Sequence, residues 1–144
     1  MQLIEWKNDY NLGVNTIDEH HQQLVNLINK SYNAIQLNNR RQIELILIEL
    51  IDYTKYHLST EESFMTEYNY ISINEHEKEH LFLRTKIQEF QFKLDANEAL
   101  YHIGIVTFLK NWLMDHILVT DKELATYLIT KGIDQLEVFL TITT

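Results

Sequence analysis

The sequence contains no cysteine, no proline and only three glycines among its 144 residues. Without cysteine, a disulfide framework and a thiolate metal site are both excluded, and a reducing cytoplasm is the expected location. Sheets of many short strands need turn-forming residues, so the scarcity of glycine and proline argues against an all-β fold. The N-terminus lacks the basic-then-apolar layout of a secretory signal. No apolar run reaches the ~18–20 residues of a membrane span, so we expect no membrane partner.

Basic side chains are also scarce, with 12 lysines and arginines against 21 aspartates and glutamates, for a net charge of −9. A surface of this charge repels phosphate backbones, and no basic cluster in the sequence offsets it. Nucleic acids are therefore excluded as expected partners. The chain length fits one domain that is large enough to bury a hydrophobic core.

Apolar residues recur at the spacing of amphipathic helices along most of the chain. The pattern covers four long segments, residues 16–37, 41–65, 72–94 and 97–117. Four long helices with short connections pack most simply as an antiparallel up-down four-helix bundle. We therefore predict an all-α fold in a single domain. Its parts are an N-terminal arm at residues 1–15, a helical bundle at 16–131 and a short C-terminal extension at 132–144.

Three Ser/Thr-x-x-Glu motifs predict where helices begin, because such capping boxes satisfy the free backbone N–H groups of a first turn. The motifs begin at Thr16, Ser72 and Thr120. The last of them predicts that a helix restarts near residue 120, and Gly132 is the expected end of that helix.

Histidines and carboxylates recur on these segments at the spacing of metal ligands. His76 and His80 are four residues apart, so on a helix they differ by about 40° in direction and about 6 Å in height and share one face. The same spacing relates His57 and Glu61 on the second segment. Both pairs are therefore placed to reach a common ion.

The fourth segment has a different spacing, with Asp121 five residues after His116. Five residues turn a straight helix by about 140°, so these two side chains meet only if the chain bends or restarts between them. The first segment supplies His21. All four predicted helices thus carry histidine, and jointly they predict a metal site. Its candidate ligands are His21, His57, Glu61, His76, His80, His116 and Asp121.

Two further histidines fit this site less well. His20 lies about 100° around the helix from His21, so both cannot point inward equally. His102 lies about 21 Å along the helix axis from His116, too far to share its ion. We expect each of them to be exposed or to support the site from outside.

The donor set, five imidazoles and two carboxylates, indicates which metal would bind. Catalytic zinc usually has three protein ligands, and copper rarely combines histidine with two carboxylates. Seven ligands suit two ions bridged by Glu61 and Asp121, and this mixture of donors suits iron. With an additional oxo or hydroxo bridge, the five histidines would divide as three and two. One ion would then keep a vacancy for a small ligand.

The segments that carry these residues resemble the hemerythrin family, specifically its bacterial single-domain members, over roughly residues 4–130. "YHLSTEESFM", "HEKEH" and "NWLMDHILVTDKELA" are similar to the family's His-x-x-x-Glu, His-x-x-x-His and His-x-x-x-x-Asp motifs. The resemblance implies two iron ions (Fe2+/Fe3+) per chain with an oxo or hydroxo bridge. It implies that one iron is bound by His76, His80 and His116, the other by His21 and His57, and both by the bridging Glu61 and Asp121.

The function that this resemblance implies is reversible dioxygen binding by an oxygen carrier, store or delivery protein, not by an enzyme. Apolar neighbours of the ligands are the expected walls of the oxygen pocket: Leu24, Leu58, Trp112 and Ile117. The chain departs from the family in having Leu58 where phenylalanine is frequent and His20 where glutamine is usual. A partner such as an oxygenase or a signalling protein is not identified by the sequence.

Other functions stay open at this point. Ferritin-like di-iron enzymes use Glu-x-x-His pairs, which Glu77 with His80 and Asp18 with His21 superficially match. That alternative leaves three histidines without a role. A di-iron enzyme or sensor handling peroxide or nitric oxide, or an oxygen-responsive interaction module, would use the same histidine-rich site.

The C-terminal extension has apolar residues at helical spacing, Ile133, Leu136, Phe139 and Leu140, before a β-branched end. We expect it to pack on its own bundle, with a dimer contact as the alternative. The expected oligomeric state is a monomer or a weak dimer.

Overall fold

The computed structural model describes residues 2–95 and 102–133, and this part of the chain is helical without any strand. The elements, in chain order, are a 3-10 helix Asn8–Tyr10, α1 Asn15–Gln36, α2 Arg40–Glu67, α3 Ile73–Asp95, α4 His102–Asp115, a π-helical segment His116–Asp121, and α5 Lys122–Thr130. None of the described helices is both long and apolar enough to cross a membrane.

The four long helices of the bundle are α1, α2, α3 and a fourth that combines α4, the π-helical segment and α5 without a break. α1 packs against α2 and α4, and α2 packs against α3. The connections between the first three helices are a few residues long, so neighbouring helices run antiparallel. The predicted all-α four-helix bundle is confirmed. The proposed limits of arm and extension stay a prediction, and residues 134–144, with Leu136, Phe139 and Leu140, lie outside the described residues.

Asparagine takes over the turn-forming role that glycine usually has in such bundles. Asn38 and Asn69 follow the ends of α1 and α2 with φ angles of 56° and 54°, a left-handed conformation that asparagine tolerates. At the second turn the Tyr70 N–H donates to the Met65 carbonyl at 2.9 Å, which closes the last turn of α2. Gly132 follows α5 in the same way, with φ 77°, as the sequence predicted.

The first capping box is wrong. α1 begins at Asn15, one residue before Thr16, and its start is held by a different side chain. The Asp18 carboxylate accepts hydrogen bonds from the Leu12 and Gly13 N–H groups, at 2.7 and 3.0 Å. Asp18 thus reaches back from the first turn to the arm, a role that the motif assigned to Glu19.

The arm is also fastened to the middle of α1 by a reciprocal pair of hydrogen bonds. The Ile4 N–H donates to Asn29 Oδ1 at 2.9 Å, and Asn29 Nδ2 donates to the Ile4 carbonyl at 2.8 Å. Both residues are buried. This contact attaches the arm to α1 well beyond the first turn of that helix.

The hydrophobic core is divided into two clusters by a layer of polar residues. One cluster includes Leu24, Leu58 and Ile117, and the other includes Phe64 and Leu124. On each long helix the candidate ligands lie between members of the two clusters. The polar layer is therefore enclosed at both ends by packed apolar side chains.

Candidate metal centre

The seven predicted ligands meet in the interior of the bundle, each at most 2% exposed. They form two overlapping groups in which the ligand atoms lie within 4.8 Å of one another. One group is Glu61, His76, His80, His116 and Asp121, and the other is His21, His57, Glu61 and Asp121. Glu61 and Asp121 belong to both groups, so the layer contains two adjacent places for a cation with two shared carboxylates.

Regular helix geometry brings the ligands of α2 and α3 together. His57 Nε2 lies 3.3 Å from Glu61 Oε2, one turn further along α2. The rings of His76 and His80 on α3 have centroids 4.6 Å apart. The prediction from four-residue spacing is therefore confirmed: both members of each pair project from one helix face.

The fourth helix uses a different device. Residues His116–Asp121 form a π-helical segment, in which each turn holds about one residue more than in an α-helix because the backbone hydrogen bonds span five residues. Asp121 thereby lies one turn beyond His116, and His116 Nε2 is 2.9 Å from Asp121 Oδ1. The predicted bend or restart is corrected to a widened turn within a continuous helix.

The capping box at Thr120 is therefore also wrong. Thr120 lies inside the π-helical segment, and its hydroxyl donates to Glu79 Oε1 of α3 at 2.7 Å. A residue that the motif assigned to a helix start instead links two helices beside the metal centre.

All five histidines turn the same ring nitrogen toward the shared carboxylates. His21 Nε2 is 2.8 Å from Asp121 Oδ2, and His76 Nε2 and His80 Nε2 are 3.2 and 3.1 Å from Glu61 Oε1. The Nε2 atoms of His80 and His116 are 3.2 Å from each other. Such an arrangement leaves each Nδ1 free to bind a supporting group outside the centre.

Several inward atoms approach one another without forming hydrogen bonds. Among the described residues, His57 Nε2, Glu61 Oε2 and Asp121 Oδ1 are buried without a hydrogen-bond partner, although each lies close to a group of opposite character. Burying unpaired polar atoms is costly. Cations at the two centres would satisfy these atoms at once, so the donor set fits a pair of metal ions.

Charge within the layer shifts the titration of its members. Burial lowers the pKa of His57, but the negative charges of the nearby Glu61 and Asp121 carboxylates outweigh burial and raise the pKa to about 9. The pKa of His76 is raised to about 9 against the same effect of burial, by the same two carboxylates. In the metal-free protein, protons thus occupy positions that cations would take.

The two carboxylates stay ionised for the reciprocal reason. Burial raises the pKa of Glu61, but the positive charge of His57 and hydrogen bonds with His116 and His76 hold it well below its usual range. Burial and the charge of Glu61 both raise the pKa of Asp121, and His116 and His21 outweigh them and lower it well below its usual range.

Carboxylates outside the centre hold two of the histidines, and sequence reasoning missed both. His80 Nδ1 lies 2.8 Å from Glu62 Oε2, which also accepts from Arg84 at 2.9 Å. His116 Nδ1 lies 3.0 Å from Glu79 Oε1. Outer acceptors of this kind orient a ligating imidazole and raise its basicity. Spacing along one helix could not have predicted these contacts, because each joins residues of two different helices.

The two remaining histidines are both buried, at 5% exposure. His20 Nδ1 lies 3.0 Å from His57 Nδ1, so it supports the centre from outside, one of the two roles that were expected. Burial lowers the pKa of His20 to about 4. His102 begins α4, and burial lowers its pKa as well. His102 is therefore not exposed, which was one of the two roles expected of it.

The residues of the ferritin-like alternative are used differently. The Asp18 carboxylate binds backbone N–H groups of the arm, and Glu77 is exposed. Neither belongs to the ligand groups found among the described residues. The geometry therefore favours the histidine-rich set.

The predicted walls of the oxygen pocket are apolar and close to the ligands. Leu24, Leu58 and Ile117 are at most 1% exposed. Trp112 is half-buried and stacks on His116, with ring centroids 4.3 Å apart and planes 20° from parallel. The three aliphatic side chains are thus closed to water, and Trp112 covers one face of the His116 ring.

A void of about 10 Å³ lies next to this layer, which is room for about one water-sized molecule. Its lining comprises Leu24, Ile28, Leu50, Thr54, Leu83, Leu109, Trp112 and Leu113. Leu24 and Trp112 were predicted, whereas Leu58 and Ile117 are buried but lie outside this lining. Thr54 is polar, and its hydroxyl donates to the Leu50 carbonyl at 2.7 Å.

Comparisons with known proteins agree with this geometry. A family model described as Hemerythrin HHE cation binding domain matches residues 12–128. A bacteriohemerythrin of Clostridium acetobutylicum is 30% identical over 126 residues, covering 84% of this chain and 98% of that protein. A bacteriohemerythrin of Methylococcus capsulatus is 30% identical over 123 residues, covering 85% and 94%. A myohemerythrin of Riftia pachyptila is 28% identical over 112 residues, covering 78% and 82%.

The fold is matched by solved structures as well. A crystal structure of wild-type hemerythrin superimposes with a TM-score of 0.81 at 29% sequence identity and covers 86% of this chain and 96% of the other. The family match spans the end of the arm and all four long helices. The chain belongs to the hemerythrin family.

Proposed function

We propose that this protein binds dioxygen reversibly at a non-haem di-iron centre and serves as an oxygen carrier, store or delivery protein. The observation that carries the proposal is the pair of overlapping ligand groups with Glu61 and Asp121 in common. A donor set of imidazole and carboxylate without sulfur suits iron. Two shared carboxylates suit two ions rather than one.

The ligands divide unequally between the two positions. His76, His80 and His116 would hold one ion, and His21 and His57 the other, with the two carboxylates and an oxo or hydroxo group bridging both. The position with two histidines then has one protein ligand fewer. We propose that the small ligand enters on that side.

The surrounding side chains favour binding over turnover. When bound, the iron pair would supply two electrons to dioxygen on binding and would recover them on release. Leu24, Leu58 and Ile117 exclude water from the layer, and exclusion of water suppresses proton leakage to side reactions. The hydroxyl of Thr54 in the void is already committed to a backbone carbonyl, so it is not free to deliver a proton.

The proposal is tested by metal analysis and optical spectroscopy of the purified protein. We expect two irons per chain and, after anaerobic reduction, a spectrum that changes on exposure to air and is restored when oxygen is removed. A single metal, or zinc in protein grown with ample iron, would contradict the di-iron assignment. Rapid consumption of peroxide would favour the enzyme alternative over the carrier.

A further inference from the structure

We propose that His20 is a positioning residue for His57 and gives the two halves of the centre unlike outer partners. The half with His57 is backed by a neutral imidazole, and the half with His80 and His116 is backed by carboxylates. This inference rests on the proposed di-iron site and concerns residues that lie outside the seven ligands.

The contact between the two rings is direct. His20 on α1 and His57 on α2 place their Nδ1 atoms 3.0 Å apart, with ring centroids separated by 5.2 Å and planes crossing at 67°. The opposite nitrogen of His57, Nε2, faces Glu61 in the polar layer. His57 is thus held on one edge by the centre and on the other by His20.

The position of the shared proton follows from the geometry. Two ring nitrogens at this distance can share only one proton, because one must donate and the other accept. A metal-bound imidazole uses its unprotonated nitrogen, and Nε2 is the nitrogen of His57 that faces the centre. The proton therefore lies on His57 Nδ1 and is donated to His20 Nδ1. His20 then carries its own proton on Nε2 and is neutral.

Aromatic side chains hold His20 in the orientation that this hydrogen bond needs. Its ring centroid lies 5.6 Å from that of Tyr53 and 5.2 Å from that of Tyr56, both on α2. His20 is only 5% exposed. The acceptor is therefore fixed before any ion binds, which is the condition for orienting a ligand.

The other half of the centre has charged acceptors at the equivalent place. His80 Nδ1 meets Glu62 and His116 Nδ1 meets Glu79, at 2.8 and 3.0 Å. A carboxylate acceptor draws the imidazole proton outward and makes the ring a stronger donor to the metal than a neutral acceptor does. The ion at the three-histidine position should therefore hold the ferric state more firmly, and the ion at the open position should be the easier one to return to the ferrous state.

The first experiment locates the proton in the diamagnetic zinc-loaded protein, which requires no oxygen binding. We expect nitrogen-15 NMR to place a slowly exchanging proton on His57 Nδ1, with a scalar coupling across the N–H···N bond to His20 Nδ1. In His20→Leu this coupling disappears, and zinc affinity at the two-histidine position falls by about 10–100-fold. In His20→Gln the amide oxygen accepts the same proton and restores most of that affinity.

The second experiment measures reduction potentials of the iron-loaded protein. His20→Glu replaces the neutral acceptor by a carboxylate and should lower the potential of the ion at the two-histidine position, whereas His20→Gln should not lower it. The matched control is His102→Leu, which removes the other 5%-exposed histidine, at the start of α4. This control should change neither the potential nor the metal affinity.

The proposal is overturned if the zinc-loaded protein carries the shared proton on His20, or if His20→Leu leaves both zinc affinity and potential unchanged. An unchanged potential in His20→Glu would likewise overturn the electronic part. A protein that shows the hydrogen bond and the potential shifts but binds no oxygen supports this inference and refutes the proposed function, so the two failures are distinguishable.

Discussion

The bundle contains two kinds of interior that meet along the same helices. The apolar clusters are filled by side chains that need only close packing, such as Leu47 and Phe64, both fully buried. The layer between them holds seven ionisable side chains, and several of their inward atoms have no hydrogen-bond partner among the described residues. The apolar interior is complete as the chain supplies it. The polar interior leaves buried polar atoms that bound cations would satisfy.

Removal of the metal should give the largest difference between the two interiors, because it affects the polar layer and leaves the apolar clusters unchanged. We expect the metal-free protein to stay helical, because the apolar clusters persist, but to unfold at a lower temperature. A site loaded a thousandfold above its Kd stabilises the fold by about 4 kcal/mol, which corresponds to a fall in Tm on the order of 10 °C on removal. Circular dichroism melting before and after chelation at neutral pH measures the change. Equal melting temperatures would show that the polar layer needs no cation.

A substitution in the apolar cluster should lower stability without changing the metal content. Leu47→Ala removes a fully buried side chain and should cost about 2–5 kcal/mol of unfolding free energy, while metal content per folded chain stays the same. Urea denaturation and metal quantification on one preparation test both parts. The control is Leu45→Ala on the same helix, where the leucine is 59% exposed and the expected change is within about 0.5 kcal/mol. Loss of metal in Leu47→Ala would mean that the two interiors are not independent.

The pH dependence of the metal-free protein should reveal the protons that replace cations. His57 and His76 have pKa values raised to about 9, so their protonation stabilises the folded state. That contribution is fully present below the unfolded pKa of ~6.5 and is lost as the pH rises through about 9. The metal-free protein should therefore melt lower at pH 9.5 than at pH 6.5. The metal-loaded protein should lack this loss, because its histidines are already neutral.

The smallest effect is expected from removing one residue of the π-helical segment. Val119 is 68% exposed, and its deletion would leave His116 and Asp121 four residues apart, the spacing of one α-helical turn. We expect two metals per chain to be retained. The control is deletion of the exposed Asn111 in α4. This deletion rotates the part of the helix after it by about 100° relative to the part before it, and should abolish metal binding. Loss of metal on deletion of Val119 would mean that the widened turn does more than restore the register.

The candidate ligands could be located from the sequence because their spacing follows a local rule. Four-residue spacing on a helix places His76 beside His80 whatever the rest of the chain does, and the same holds for His57 and Glu61. The division of those residues between two metal positions could be inferred only from all seven candidate ligands together. The resemblance to a family then gave each residue an expected role, and the geometry places all of them in one layer.

The features that escaped prediction depend on distances between helices. Glu62 and Glu79 support histidines of neighbouring helices, which no spacing along one helix reveals. Thr120 was assigned to a helix start because its motif is correct in isolation, but its hydroxyl is bound by Glu79. The π-helical turn was missed for a different, local reason: the five-residue spacing indicated a departure from the α-helix without specifying its form.

The candidate ligands come from every long helix, and this has a consequence for synthesis of the protein. His21 and Asp121, which approach to 2.8 Å, are 100 residues apart in the sequence. A chain still emerging from the ribosome can pack its first helices, but it lacks the shared carboxylate of the last one. Under the proposed function, iron loading would therefore wait for translation of the fourth helix, and a fragment that ends before residue 121 should remain without a metal pair. Bound iron would thus distinguish finished molecules from truncated ones.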